Sequence, residues 1–227
     1  MNLEVSKITF RYQKKEPAVL EAFSAVFEKG ETVAVLGPNG TGKTTLGKLI
    51  MGILQPQEGS IFLEGEDMKS WSLAERGRKI GYVMQNPARQ IFSTTVREEI
   101  AYGLEAAGME QETVREKSRE YLELMELSGY EEAFPFHLSC GEKQRLVLAS
   151  VLAMEPDYLL LDEPTSSLDQ KRRRQLGDCL ERVRNARGCG IILISHDMEF
   201  VRKHACRRIF LGGRNPGAGE SGGDEYV

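Results

Sequence analysis

Cysteine is scarce: Cys140, Cys179, Cys189 and Cys206 are the four in 227 residues, far apart and with no CxxC pair. That spacing offers neither a zinc signature nor a disulfide framework, so free thiols in a reducing cytosol are the expectation. Long apolar runs are missing as well. None approaches the roughly 18 residues a membrane helix needs, and Met1-Asn2-Leu3-Glu4 lacks the basic-then-apolar layout of a secretory leader. Nor is there an excess of positive charge, since 30 Lys+Arg against 34 Asp+Glu leave a net −4. Nucleic acid is therefore not expected as a partner, and the one basic cluster, Lys171-Arg172-Arg173-Arg174, reads as a solvated helix face. No repeat recurs at solenoid periods. What remains is an ordinary globular composition, 41% hydrophobic and 28% charged, enough for one large core or a core with a small satellite.

Against that plain background one stretch stands out. Gly37-Pro38-Asn39-Gly40-Thr41-Gly42-Lys43-Thr44-Thr45 follows the apolar run Thr32 to Leu36 and precedes a helix-capable segment from Thr45 to Met51. The pattern G-x-x-x-x-G-K-[ST] places glycines where backbone N–H groups must turn inward, a lysine that reaches outer phosphates and a hydroxyl suited to magnesium. A helix opening directly after the loop adds positive potential for an anion. The chain is thus expected to bind a nucleoside triphosphate.

Around the loop the chain alternates. Val5 to Phe10 and Leu20 to Phe27 read as two strands of an antiparallel unit, and Ser60 to Glu64 and Lys79 to Met84 as further strands. From Val96 to Leu127 the pattern is helical, as it is from Gly141 to Ala153. Tyr158-Leu159-Leu160-Leu161-Asp162 is a continuous apolar run ending in acid, the mark of a strand buried on both faces of a parallel sheet. Helix Lys171 to Arg187, strand Ile191 to Ile194, helix Asp197 to Ala205 and strand Arg208 to Leu211 complete an α/β alternation. Past Gly212 the glycine-rich composition reads as a flexible tail. The expected fold is α/β: a P-loop NTPase core with a mostly parallel sheet, an antiparallel β subdomain and an inserted α-helical subdomain. Residues 1–211 form a single domain in this reading, with a nucleotide-binding core at 1–88 and 154–211, a helical subdomain at 89–153 and a tail at 212–227.

Triphosphate hydrolysis needs a metal and a base near the terminal phosphate, and Asp162-Glu163 stands where a strand tip would supply them. With Pro164 and Ser167-Leu168-Asp169 following, the acids become a specific signal. Six elements now match in order: Tyr12, the loop 37–45, Gln85, Leu138-Ser139-Cys140-Gly141-Glu142, Leu161-Asp162-Glu163-Pro164 with Ser167-Leu168-Asp169, and Ser195-His196-Asp197. In this the chain resembles the nucleotide-binding subunit of an ATP-binding cassette (ABC) transporter.

The resemblance implies ATP and Mg2+ as cofactors and a role for each position. Tyr12 would stack on adenine. Lys43 and the amides of Gly40, Thr41, Gly42, Thr44 and Thr45, with Asn39 in the same loop, would hold the phosphates. Thr44 and Gln85 would ligate magnesium, with Asp162 acting through water; Glu163 would polarise the attacking water and His196 would contact the terminal phosphate. Ser139 and Gly141 would reach across a dimer to the partner's triphosphate. His137 and His204 match no motif and read as structural. The family's signature is LSGGQ, and here Cys140 and Glu142 depart from it, which points to a weakened half-site paired with a non-identical partner.

Gln85-Asn86-Pro87, Gln90, Phe92 and Thr95-Val96 further resemble the Q-N-P-x-x-Q-x-F-x-x-T-V pattern of energy-coupling factor (ECF) ATPases. That branch implies uptake of a vitamin or a cobalt or nickel ion, coupled to ATP hydrolysis at the cytoplasmic face of the membrane. The partners would be a second ABC ATPase subunit and membrane-embedded coupling and substrate-binding subunits. An ATPase of another ABC importer or exporter, or a soluble non-transport ABC ATPase, is the alternative. ECF ATPases usually continue into a carboxy-terminal segment for which this chain has only its glycine-rich end.

Overall fold

Runs buried on both faces become the middle of one sheet, and runs buried on one face become another. In the computed structural model, which describes residues 2–166, 168–212 and 224–226, strands β3 (Thr32–Leu36), β7 (Tyr158–Asp162) and β8 (Gly190–Ile194) are buried at every position. They join β6 (Ile80–Val83), β9 (Arg207–Phe210) and β10 (Asp224–Tyr226) in a parallel sheet of order β10-β9-β3-β8-β7-β6. The antiparallel sheet, of order β2-β1-β4-β5, is built from β1 (Asn2–Phe10), β2 (Leu20–Glu28), β4 (Glu58–Leu63) and β5 (Glu66–Asp67). Leu20, Phe23, Ala25 and Phe27 of β2 face inward while its other positions are exposed, the alternation of a sheet with one wet face.

Two apolar cores result. One lies between the antiparallel sheet, α1 (Lys43–Ile50) and one face of the parallel sheet, around Phe23, Phe27, Leu49 and Tyr158. The other lies on the opposite face, under α3 (Val96–Ala106), α4 (Gln111–Leu124), α5 (Cys140–Ala153), α6 (Gln170–Arg187) and α7 (Met198–His204). Helices α3 to α5 pack on one another and are inserted between β6 and β7, which are paired neighbours in the sheet. Gly81 of β6 permits that docking: a Cβ there would come within 2.4 Å of Val151 on α5.

The single helical stretch expected from Val96 to Leu127 is two helices, because the chain turns at Gly108 with φ +78°. A further helix, α2 (Leu73–Lys79), was not foreseen; Ser72 and Glu75 close a capping box at its start. Its Arg76 is buried and donates from Nη1 to Ile50 O at 2.8 Å, and from Nη2 to Met68 O, gripping the last turn of α1. The flexible tail expected at 212–227 needs correction in part. Asp224–Tyr226 pairs in parallel with Arg208–Phe210 of β9, since an edge strand leaves a row of backbone groups open to pairing. Residues 213–223 and 227, like Ser167, lie outside the described residues.

Candidate functional site

The loop between β3 and α1 is shaped by positive-φ glycines: Gly37 at +145°, Gly40 at +86° and Gly42 at +98°. A Cβ on Gly37 would come within 2.4 Å of Leu211 O, so the loop lies tight against the end of β9. Gly42 is the N-cap of α1 and provides no side-chain cap, which leaves first-turn N–H groups for an anion. Lys43 is buried inside the loop, donating from Nζ to Gly37 O at 2.8 Å and Pro38 O at 2.9 Å. Asn39 is exposed at the loop's tip. Tyr12 is 55% exposed, stands edge-on to Phe10 with centroids 5.0 Å apart, and its hydroxyl lies 3.0 Å from Thr45 Oγ1.

Three strands and a helix converge on Asp162, which is 1% exposed at the tip of β7. Thr44 Oγ1 donates to its Oδ1 at 3.2 Å and the Tyr82 hydroxyl donates to its Oδ2 at 3.4 Å. Burial pushes the Asp162 carboxyl above the usual carboxylate range, with adjacent Glu163 adding to the effect against the Thr44 and Tyr82 hydrogen bonds. Burial beside Asp162 also raises the Tyr82 phenol well above its usual value. Glu163 has φ +52° and its N–H donates to Ile194 O of β8 at 2.8 Å, which turns its carboxylate to the neighbouring strand end. There Oε2 lies 2.7 Å from His196 Nδ1 and 3.4 Å from His196 N. The Glu163 side chain is 9% exposed and that of His196 67%, so the pair runs from the buried strand tips to the surface. Asp197 caps α7 through Phe200 N and pairs with Arg173 at 3.1 Å.

Not every expected residue joins this cluster. Gln85 is exposed just beyond β6, and no described hydrogen bond ties its amide to Thr44 or Asp162. Ser139 and Gly141 stand elsewhere, at the start of α5. There the Ser139 hydroxyl accepts from Glu142 N, while Ser139 N donates to Glu142 Oε2 at 2.8 Å. The Ser139 hydroxyl and N–H hold the Glu142 carboxyl below its usual range. Cys140 is exposed beside them, and Gly141 packs against Arg172, to which a Cβ would come within 3.3 Å.

Two contributors escaped the sequence reading. Tyr82 was one apolar position among many on a strand. Gln144 had a usable signal, a glutamine on the otherwise apolar stripe of α5; it is buried and donates to Pro164 O, linking α5 to the segment after Glu163.

The ABC transporter family model matches residues 20–166. The chain belongs to the ABC transporter family. The ECF transporter ATP-binding protein EcfA1 of Thermotoga maritima is 41% identical over 201 residues, 88% of this chain and 75% of that protein. Among solved structures, cbiO1 of Clostridium perfringens, part of the ABC transporter complex cbiONQ, is 28% identical with a TM-score of 0.83, over 92% of this chain and 84% of that one. The dimeric cassette MJ0796, in a post-hydrolysis state with ADP and Pi, is 26% identical with a TM-score of 0.83, over 92% of this chain and 94% of that one. This ABC protein is an ATPase with an α/β P-loop fold and ECF-type relatives. No helix among the described residues is long and apolar enough to cross a membrane.

Proposed function

We propose that this chain is the ATP-hydrolysing subunit of an ECF-like importer, driving uptake of a vitamin or a transition-metal ion through closure and reopening of an ATPase dimer at the cytoplasmic face of the membrane. The observation that carries the reading is the continuous run of contacts from Thr44 through Asp162 to Glu163 and His196, at the strand ends beside the phosphate loop. In this proposal Lys43 exchanges its loop carbonyls for phosphate oxygens, joined by the amides of Gly40, Thr41, Gly42, Thr44 and Thr45, and Tyr12 lies against adenine. Thr44, Asp162 and Gln85 form a hard oxygen donor set that suits Mg2+, which when bound supplies charge neutralisation for the phosphates. Glu163 orients the attacking water as a base, and His196 senses the terminal phosphate.

Ser139 and Gly141 are assigned to the triphosphate of a second ATPase subunit, of the same or a different sequence. The division into a core at 1–88 and 154–211 and a helical subdomain at 89–153 belongs to the same reading. A membrane-embedded coupling subunit would place a helix in the apolar groove beside β6, α3 and α5, where Phe92 and Tyr102 are exposed and meet edge-to-face at 4.7 Å. Gln90 is a strut of that groove: its amide accepts from Met84 N at 2.7 Å and donates to Tyr82 O at 2.8 Å. The substrate-binding subunit would complete the transporter.

The test is Glu163→Gln. Turnover is expected to fall by about 10²–10⁴-fold, and light scattering should find ATP-loaded dimers that persist. Monomers that release nucleotide as fast as the parent chain would refute the reading.

A further inference from the structure

The basic cluster at the start of α6 matches a solvated helix face at two of its positions, Lys171 and Arg174, which are exposed. Arg172 pairs within its own turn, with Asp169 at 3.1 Å. Arg173 reaches further. Its Nε donates to Leu168 O at 3.1 Å, and its Nη1 stands 3.1 Å from Asp197 Oδ2. The Asp197 side chain is 12% exposed, and its Oδ2 accepts no hydrogen bond from the described residues. Among those residues Arg173 is the one cation within ion-pair reach of it, so this nearly buried carboxylate depends on that guanidinium for its charge.

Two paths lead from Arg173 to Glu163. One runs through Leu168, whose N–H donates to Thr165 O at 3.1 Å, and Ser166, whose N–H and hydroxyl donate to Glu163 O at 3.2 and 3.0 Å. The other runs through Asp197 to its neighbour His196, whose Nδ1 lies 2.7 Å from Glu163 Oε2. Asp197 is held on both sides: its N–H donates to Ser195 Oγ at 3.0 Å, and its Oδ1 accepts from Phe200 N at 3.0 Å. The largely exposed His196 ring has little packing to fix it. Its direction is set by the backbone beside Asp197 and by the contact with Glu163.

We infer that Arg173 is a positioning residue for the hydrolytic pair. By bracing Asp197 against Leu168 it fixes the turn that carries His196, and so keeps the imidazole on Glu163. A guanidinium suits the task because its rigid fork serves two acceptors at once, whereas lysine offers a single point charge. The inference rests on the proposed roles of Glu163 and His196 and adds a residue that acts from behind them.

Two readouts on the full chain test it. In long-range proton–nitrogen spectra of the three histidine rings, His196→Gln assigns the His196 signals. The His196 Nδ1 resonance should move in Arg173→Gln, and also in Asp197→Asn, which keeps a good helix cap while removing the charge. Arg173→Lys should give an intermediate position, and Arg174→Gln should move none of the three rings. His204, whose Nδ1 lies 2.8 Å from Glu181 at the far end of α7, should stay in place and so report that α7 remains folded. In steady-state hydrolysis, at a protein concentration where the rate per chain no longer rises, Arg173→Gln should lower kcat about tenfold or more, with KM for ATP within about twofold of the parent. An unmoved His196 signal in Arg173→Gln or, should that variant fail to fold, in Asp197→Asn would overturn the inference, as would an equal displacement of His204. A displaced His196 signal with parental kcat would uphold Arg173 as the brace and overturn instead the role given to His196.

Discussion

The two chemically loaded ends of this molecule are held together in opposite ways. At the strand tips, contacts join residues far apart in sequence: Thr44 to Asp162, Tyr82 to Asp162, and Glu163 to His196. At the start of α5, Ser139 and Glu142 satisfy each other within one turn, and Cys140 faces solvent. The first arrangement is assembled by the tertiary fold. The second is a self-closed helix end whose hydroxyl and N–H must be released before they can serve another molecule. Among the described residues, a hydrogen bond from Gln144 to Pro164 O links α5 to the segment directly after Glu163. Under the proposed function, where the chain is half of a paired site, the first end would be the cradle and the second a releasable cover.

The sharpest way to break this comparison is Asp162→Asn. Burial raises the Asp162 carboxyl, so folding disfavours its charged form. The stability that accompanies the neutral form is present below the ordinary carboxylate value and lost as pH rises through the raised one. The amide has no such charge to bury. In EDTA at neutral pH, thermal unfolding of Asp162→Asn should come a few degrees above that of the parent chain, while ATP turnover falls to background. A lower midpoint would show that the Thr44 and Tyr82 hydrogen bonds outweigh the burial penalty.

A gentler probe concerns the cover. Cys140→Gly with Glu142→Gln restores the family's signature and replaces a charged capping partner with a neutral one. Turnover of the assembled transporter should rise several-fold, and no change would mean that this departure costs nothing at the paired site. The smallest effect separates capping from chemistry. Ser72→Ala and Ser139→Ala each remove an N-cap hydroxyl and should each cost about 1 kcal/mol of stability in denaturant titrations. Only Ser139→Ala should also lower turnover.

How much of this could be read from the residues depended on how local the cause was. The strand at Tyr158–Asp162 was legible because four apolar residues in a row closed by an acid suit a strand buried on both faces, and its observed bounds are those expected. The loop at 37–45 was legible because its chemistry is set by spacing within nine residues. Helix α2 was missed because it carries no apolar stripe, its one buried residue being the charged Arg76, although Ser72 and Glu75 announced its start. The break at Gly108 vanished inside a longer helical pattern, and β10 is too short to signal anything without the edge it joins. At the candidate site the residue types were readable, but the contacts were not. That Tyr82 reaches Asp162, 80 positions away, follows from β6 lying beside β7, and only the sheet order reveals it. Gln85 is the converse: a strong motif residue that makes no described bond to the cluster.

The grip of Arg76 on α1 carries a last consequence. A helix of eight residues is about 12 Å long, so the guanidinium at its far end acts as the tether of a short lever whose other tip is Lys43. Because that guanidinium also bonds Met68 O, the lever is anchored to the turn that follows the antiparallel sheet. An inherited or engineered change at position 76 would therefore surface in the laboratory as poor affinity for ATP, though the altered side chain never comes near the nucleotide.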